Sequence, residues 1–120
     1  MKVLIAEDNA VNRELLREVL ESRHYEVIEA ADGEEALLKI EESRPDLVLL
    51  DINMPVLDGF AVISRVRENP ELKQLPVLAV TAYAMKNDRE KVLRAGFDGY
   101  VSKPVNSAAL FREIEQLVKT

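Results

Sequence analysis

Unbroken apolar runs alternating with helical periodicity constrain this chain more than any other feature. Val3-Leu4-Ile5-Ala6, Leu47-Val48-Leu49-Leu50 and Val77-Leu78-Ala79-Val80 contain no polar residue. A strand with one wet face alternates apolar and polar, so unbroken runs suit a parallel sheet covered by helices on both faces. Tyr25-Glu26-Val27-Ile28-Glu29 is interleaved with acids, and Gly99-Tyr100-Val101 is brief and follows Asp98. Both read as edge strands.

The segments between these runs carry helical stripes. Val11, Leu15, Leu16, Val19 and Leu20 fall on one face of a first helix. Leu37 and Ile40 mark a second, Phe60, Ile63 and Val66 a third, and Leu110, Ile114, Leu117 and Val118 the last. Asp32 with Glu35, and Asn87 with Glu90, have the spacing of capping boxes, and Asp58 is a further cap. Gly96 is a helix stop. Five strands alternating with five helices predict an α/β domain with a parallel sheet. Right-handed crossovers with the second and fifth strands outermost give order 2-1-3-4-5. The expected fold is a flavodoxin-like (βα)5 three-layer sandwich. The pattern fills 120 residues without repeat, low-complexity tract or linker, so residues 1–120 are expected to form one domain.

Charge and composition narrow the function. Twenty-two acidic and sixteen basic residues leave a net charge of −6. A duplex-binding module is usually basic, so direct nucleic-acid binding is not expected. The balance suits a chain that binds a cation or a basic surface. Without cysteine there is no disulfide, thiolate nucleophile or zinc–thiolate site. The apolar runs are far shorter than the roughly twenty residues of a membrane helix. Met1-Lys2 leads straight into the first strand, with no signal-peptide cleavage region. A cytoplasmic location without membrane contact is the expectation.

The residues after each strand carry the chemistry. Glu7 and Asp8 follow the first strand, Asp51 the third, Thr81 the fourth and Lys103 the fifth. In a parallel sheet these ends share one edge, and order 2-1-3-4-5 makes the four strands neighbours. Ligands of this fold sit at that edge, near the switch between strands one and three. Three carboxylates gathered there can pair with Lys103, take up protons or hold a hard cation. Magnesium suits the set, because it prefers oxygen ligands and keeps waters for an incoming phosphate. Thr81 and Lys103 offer donors to phosphoryl oxygens. A carboxylate such as Asp51 can attack a phosphoryl group and become an acyl phosphate.

At these positions the sequence resembles the receiver domain of two-component response regulators. The resemblance is carried by Glu7-Asp8 after "KVLIA", Asp51 in "LLDINMPVLDG", Thr81-Ala82 in "VTAYA" and Lys103-Pro104 in "YVSKP". Wording such as "AEDNAVNRELL" is similar to single-domain receivers of the cell-division or chemotaxis type and to receivers of hybrid histidine kinases. The resemblance implies that Asp51 accepts a phosphoryl group from a histidine kinase or a histidine phosphotransfer protein. It implies magnesium held by Asp8, Asp51 and the Asn53 backbone carbonyl, with Glu7 acting through a bound water. It implies Thr81 and Lys103 on the phosphoryl group, Tyr100 as an aromatic switch, and a cis Lys103-Pro104 peptide. The output would be binding of a downstream protein through helix four, strand five and helix five. The chain would be a monomer or a weak phosphorylation-linked dimer. It would be a signalling switch, not an enzyme, though one that catalyses its own phosphorylation and dephosphorylation. Glu7 departs from the Asp that many members carry.

Duller roles stand beside these. Asp51 could be a turn residue, Glu7-Asp8 could cap the first helix, and Lys103 could be a solvated charge. Met54-Pro55 shapes a turn, and His24 is expected to be exposed at a helix end. An aspartate-nucleophile phosphatase would carry a second Asp where Asn53 stands, and Asn53 cannot donate a proton that way. A nucleotide binder would need a Gly-rich loop where "AEDNAVN" follows the first strand. A phosphate-independent adaptor would have no use for the full set.

Overall fold

The computed structural model describes residues 1–82 and 86–118, the side chains of 86–88 excepted. The strands are β1 (Lys2–Ala6), β2 (Glu26–Ala30), β3 (Leu47–Asp51), β4 (Val77–Thr81) and β5 (Gly99–Ser102). The helices are α1 (Ala10–Glu21), α2 (Gly33–Ser43), α3 (Gly59–Glu68), α4 (Lys86–Ala95) and α5 (Ser107–Val118). All pairings are parallel, in the order β2-β1-β3-β4-β5. The flavodoxin-like order expected from the sequence is therefore the order observed.

Strand alternation divides the core in two. Leu4, Ala6, Val48, Leu50, Val77 and Ala79 face α2, α3 and α4, where Ile40, Ile63 and Val92 meet them. Val3, Ile5, Leu47, Leu49, Leu78 and Val80 face α1 and α5, where Leu16, Leu20, Leu110 and Ile114 meet them. Every residue of β3 and β4 is buried, while β2 reads exposed at Glu26, half-buried from Val27 to Glu29 and buried only at Ala30. Central strands lose water on both faces and β2 does not, which is why its sequence tolerates acids.

The α1 stripe is only half buried. Leu16 and Leu20 enter the core, but Val11 is 65% and Leu15 55% exposed. At about 100° per residue, Val11 and Leu20 stand roughly 180° apart. One sheet face cannot cover that arc, so the expectation that all five residues share one face is corrected.

The caps explain where the helices start. Asp32 Oδ1 accepts from Glu35 N at 2.8 Å, and Glu35 Oε1 reaches back to Ala31 N at 2.7 Å. Asp58 Oδ1 accepts from Ala61 N at 2.9 Å. Gly96, at φ +117, turns the chain after α4. Residue 87 lies within α4 and its side chain is outside the described part, so the cap expected from Asn87 is not described. Arg67 ties the end of the molecule remote from the acidic edge. Its guanidinium donates to the carbonyls of Gly96, Lys73 and Leu75 and to Asp98 Oδ2.

Candidate functional site

β1, β3, β4 and β5 end side by side, so the residues after them converge. Ala6 pairs with Leu50, Asp51 with Val80 and Thr81 with Ser102. Asp51 proves to be the last residue of β3 itself, held by its ladder. It is 3% exposed, Glu7 1% and Thr81 1%, the buried polar or charged residues among those described. Asp8 and Asn53 are exposed at the rim.

Lys103 closes the group. Its Nζ donates to Asp51 Oδ2 at 2.8 Å and to both Glu7 carboxylate oxygens at 3.1 Å. Its backbone N–H donates to Thr81 O at 2.7 Å, which fixes the start of the β5–α5 loop against β4. The Lys103-Pro104 peptide is cis. The other Asp51 oxygen, Oδ1, accepts from Asn53 N at 3.0 Å. Oxygen atoms of Glu7, Asp8 and Asp51 lie within 4.8 Å of one another. Three hard oxygen donors this close, with Asp8 at the open rim, fit a small divalent cation.

Burial and crowding set the charges. The Glu7 carboxyl is pushed up from 4.5 to about 7, first by removal from water. The hydrogen bond with Asp51 adds to the rise, while bonds from Asn12 and Lys103 pull the other way. For Lys103 burial acts downward, but the bonds to Asp51 and Glu7 outweigh it and hold the ammonium above its ordinary range. Burial thus resists ionisation of Glu7, while Lys103 keeps its charge against the neighbouring carboxylates.

The structure brings Glu7, Asp8, Asp51 and Lys103 together and sets Thr81 on the adjoining strand end. Tyr100 pairs with Ala79, is half-buried, and packs against the core on the α2–α4 side. Asn9, not Glu7 or Asp8, caps α1, accepting from Asn12 N at 3.0 Å. Both acids are thus released for the pocket. Sequence reasoning missed Asn9 and Asn12; an Asn immediately before the first apolar-periodic residue was the available signal for the cap. Gly33 matters at a distance. A Cβ there would meet the Leu57 carbonyl oxygen at 2.1 Å, so the β3–α3 loop leans directly on α2.

The fold and the strand-end cluster are those of a receiver module of two-component signalling. Residues 3–115 match the family model of the response regulator receiver domain, and the chain belongs to that family. It is 43% identical over 104 residues to the polar-differentiation response regulator DivK of Brucella anthropi, covering 87% of this chain and 85% of DivK. It is similar to the receiver domain of the sensor histidine kinase PA1611 of Pseudomonas aeruginosa, with TM-score 0.91 and 35% identity over 99% of this chain and 98% of that one. That receiver was solved with magnesium coordinated in its active-site cleft. The receiver of Ssk1 from Saccharomyces cerevisiae matches with TM-score 0.90 and 28% identity over 98% of this chain and 88% of that one. It was solved with the histidine phosphotransfer protein Ypd1. No helix among the described residues is long and apolar enough to cross a membrane.

Proposed function

We propose that Asp51 accepts a phosphoryl group from a phosphohistidine on a histidine kinase or phosphotransfer protein, and that residues 1–120 act as one receiver unit. The observation that carries this is the contact of Asp51 Oδ2 with Lys103 Nζ at 2.8 Å inside a cluster of three carboxylates. A buried acid placed this way serves no fold that a neutral residue would not serve better. A carboxylate oxygen of Asp51 forms the new P–O bond as the P–N bond breaks, its electron pair staying on the imidazole. Lys103 and Thr81 take the phosphoryl oxygens, and the same site later admits water to hydrolyse the acyl phosphate. Asp8, Asp51 and the Asn53 carbonyl would hold magnesium, with Glu7 acting through a water. Bound there, magnesium supplies positive charge against the phosphoryl oxygens.

The donor docks over α1. Val11 and Leu15 are exposed beside a groove of about 470 Å³ that runs past Ala82 and Lys103 to Val105. An apolar patch at the mouth of a charged pocket suits a partner helix that carries its phosphohistidine inward. The Ypd1 complex of the related receiver supports a donor of this class.

Phosphorylation adds roughly one and a half to two negative charges to a pocket already crowded with acids. Thr81 moves to the new oxygens, Tyr100 turns into the space left, and the α4–β5–α5 face changes for a downstream protein. Incubation with acetyl phosphate and magnesium tests the acceptor. The parent labels, Asp51→Asn does not, and chelation of magnesium stops labelling. Full labelling of Asp51→Asn would overturn the assignment. An unchanged Tyr100 rotamer with and without beryllofluoride would overturn the switch.

A further inference from the structure

We infer that Asn12 is a positioning residue for phosphoryl transfer: its side-chain amide fixes Glu7, and Glu7 fixes the Lys103 ammonium beside Asp51. The inference rests on Asp51 being the acceptor. Asn12 Nδ2 donates to Glu7 Oε1 at 3.0 Å. Lys103 Nζ donates to both oxygens of that carboxylate and to Asp51 Oδ2. Four side chains thus form one line from α1 to the β5–α5 loop.

The line has a mechanical logic. A lysine ammonium is a compact charge on a flexible stem, so it stands where its acceptors stand. Asp51 is held on its own account, through Oδ1 and the Asn53 N–H at 3.0 Å. Glu7 has the longer arm of the two acids and needs a second holder. Asn12 supplies it from the first turn of α1, a turn fixed by the Asn9 cap. Arg13, the next residue, donates from its guanidinium to the Glu7 carbonyl at 2.8 Å and to Glu29 Oε1 at 3.1 Å. Main chain and side chain of Glu7 are therefore tied to the same helical turn. The pair is matched in length. An aspartate at position 7 loses one methylene of reach and falls short of Asn12.

A length swap tests this. Glu7→Asp shortens one arm and Asn12→Gln lengthens the other; the double variant restores the sum. Two readouts are taken: NMR order of the Lys103 side chain in the metal-free protein, and the rate at saturating acetyl phosphate with magnesium. Urea stability controls for general damage. Each single variant is expected to loosen Lys103 and slow phosphorylation about tenfold, the ratio set by one hydrogen bond to a charged group. The double variant is expected to recover both. Unchanged Lys103 order in Asn12→Ala, or a double variant no better than the singles, overturns the inference. If the parent carries its label away from Asp51, the acceptor reading falls and the positioning role of Asn12 in phosphoryl transfer falls with it. The metal-free NMR distinguishes that failure from a failure of the hydrogen-bond line.

Discussion

Replacing Glu7 with glutamine is expected to stabilise the metal-free protein at and above neutral pH. The carboxyl of Glu7 is buried and lifted from 4.5 to about 7, mainly by loss of water. Below 4.5 both folded and unfolded chains hold the proton, and nothing is lost. As pH rises, the unfolded chain releases it first, so the folded state loses stability progressively up to about 7 and no further. The interval spans about 2.5 pH units, and at about 1.36 kcal/mol per pH unit the loss is roughly 3 kcal/mol. Glutamine keeps the shape and has no charge to desolvate, and Lys103 still has Asp51. Urea denaturation with a chelator present, at pH 5, 6, 7 and 8, checks this. The difference between Glu7→Gln and the parent should grow with pH and level off above 7. Magnesium should shrink it by favouring the ionised pocket. A difference that is flat with pH, or a variant less stable at pH 8, would refute this account of the pocket's charge.

Other perturbations test the frame around the site. Arg67→Ala should lower stability by roughly 2–4 kcal/mol in urea melts, because three carbonyls lose a donor at once and Asp98 loses its ion-pair partner. Arg67→Lys should recover little of it, since an ammonium cannot span the same fork. Val56 is 69% exposed at φ +71, a strained setting for a β-branched residue, so Val56→Asn should raise stability by roughly 1 kcal/mol. Gly33→Ala should cost at least about 2 kcal/mol, and amide chemical shifts should move across residues 53–58, because its Cβ strikes the Leu57 carbonyl.

The sheet order and the strand-end residues were legible because each depends on local pattern. An unbroken apolar run marks a central strand, and Glu7, Asp51 and Thr81 stand at or just past such runs, while Lys103 follows the brief edge strand. Parallel pairing then brings them together without any knowledge of side-chain contacts. The roles of Asn12, Arg13 and Arg67 were not legible. They depend on how far a side chain reaches from one element to another, which periodicity does not encode. The α1 stripe shows the same limit from the other side. The pattern located the apolar face, but the width of the sheet decided that Leu16 and Leu20 enter the core while Val11 and Leu15 face outward. Glu7 and Asp8 were open to reading as caps until Asn9 was seen to fill that place.

The most direct test of the account is to trap the modified residue. Protein exposed to a phosphohistidine donor and magnesium is reduced with borohydride, which converts an acyl phosphate to an alcohol, then digested and mapped by mass spectrometry. The account predicts the alcohol at residue 51 alone. Its appearance at residue 7 or 8, with residue 51 still an intact carboxylate, would contradict it.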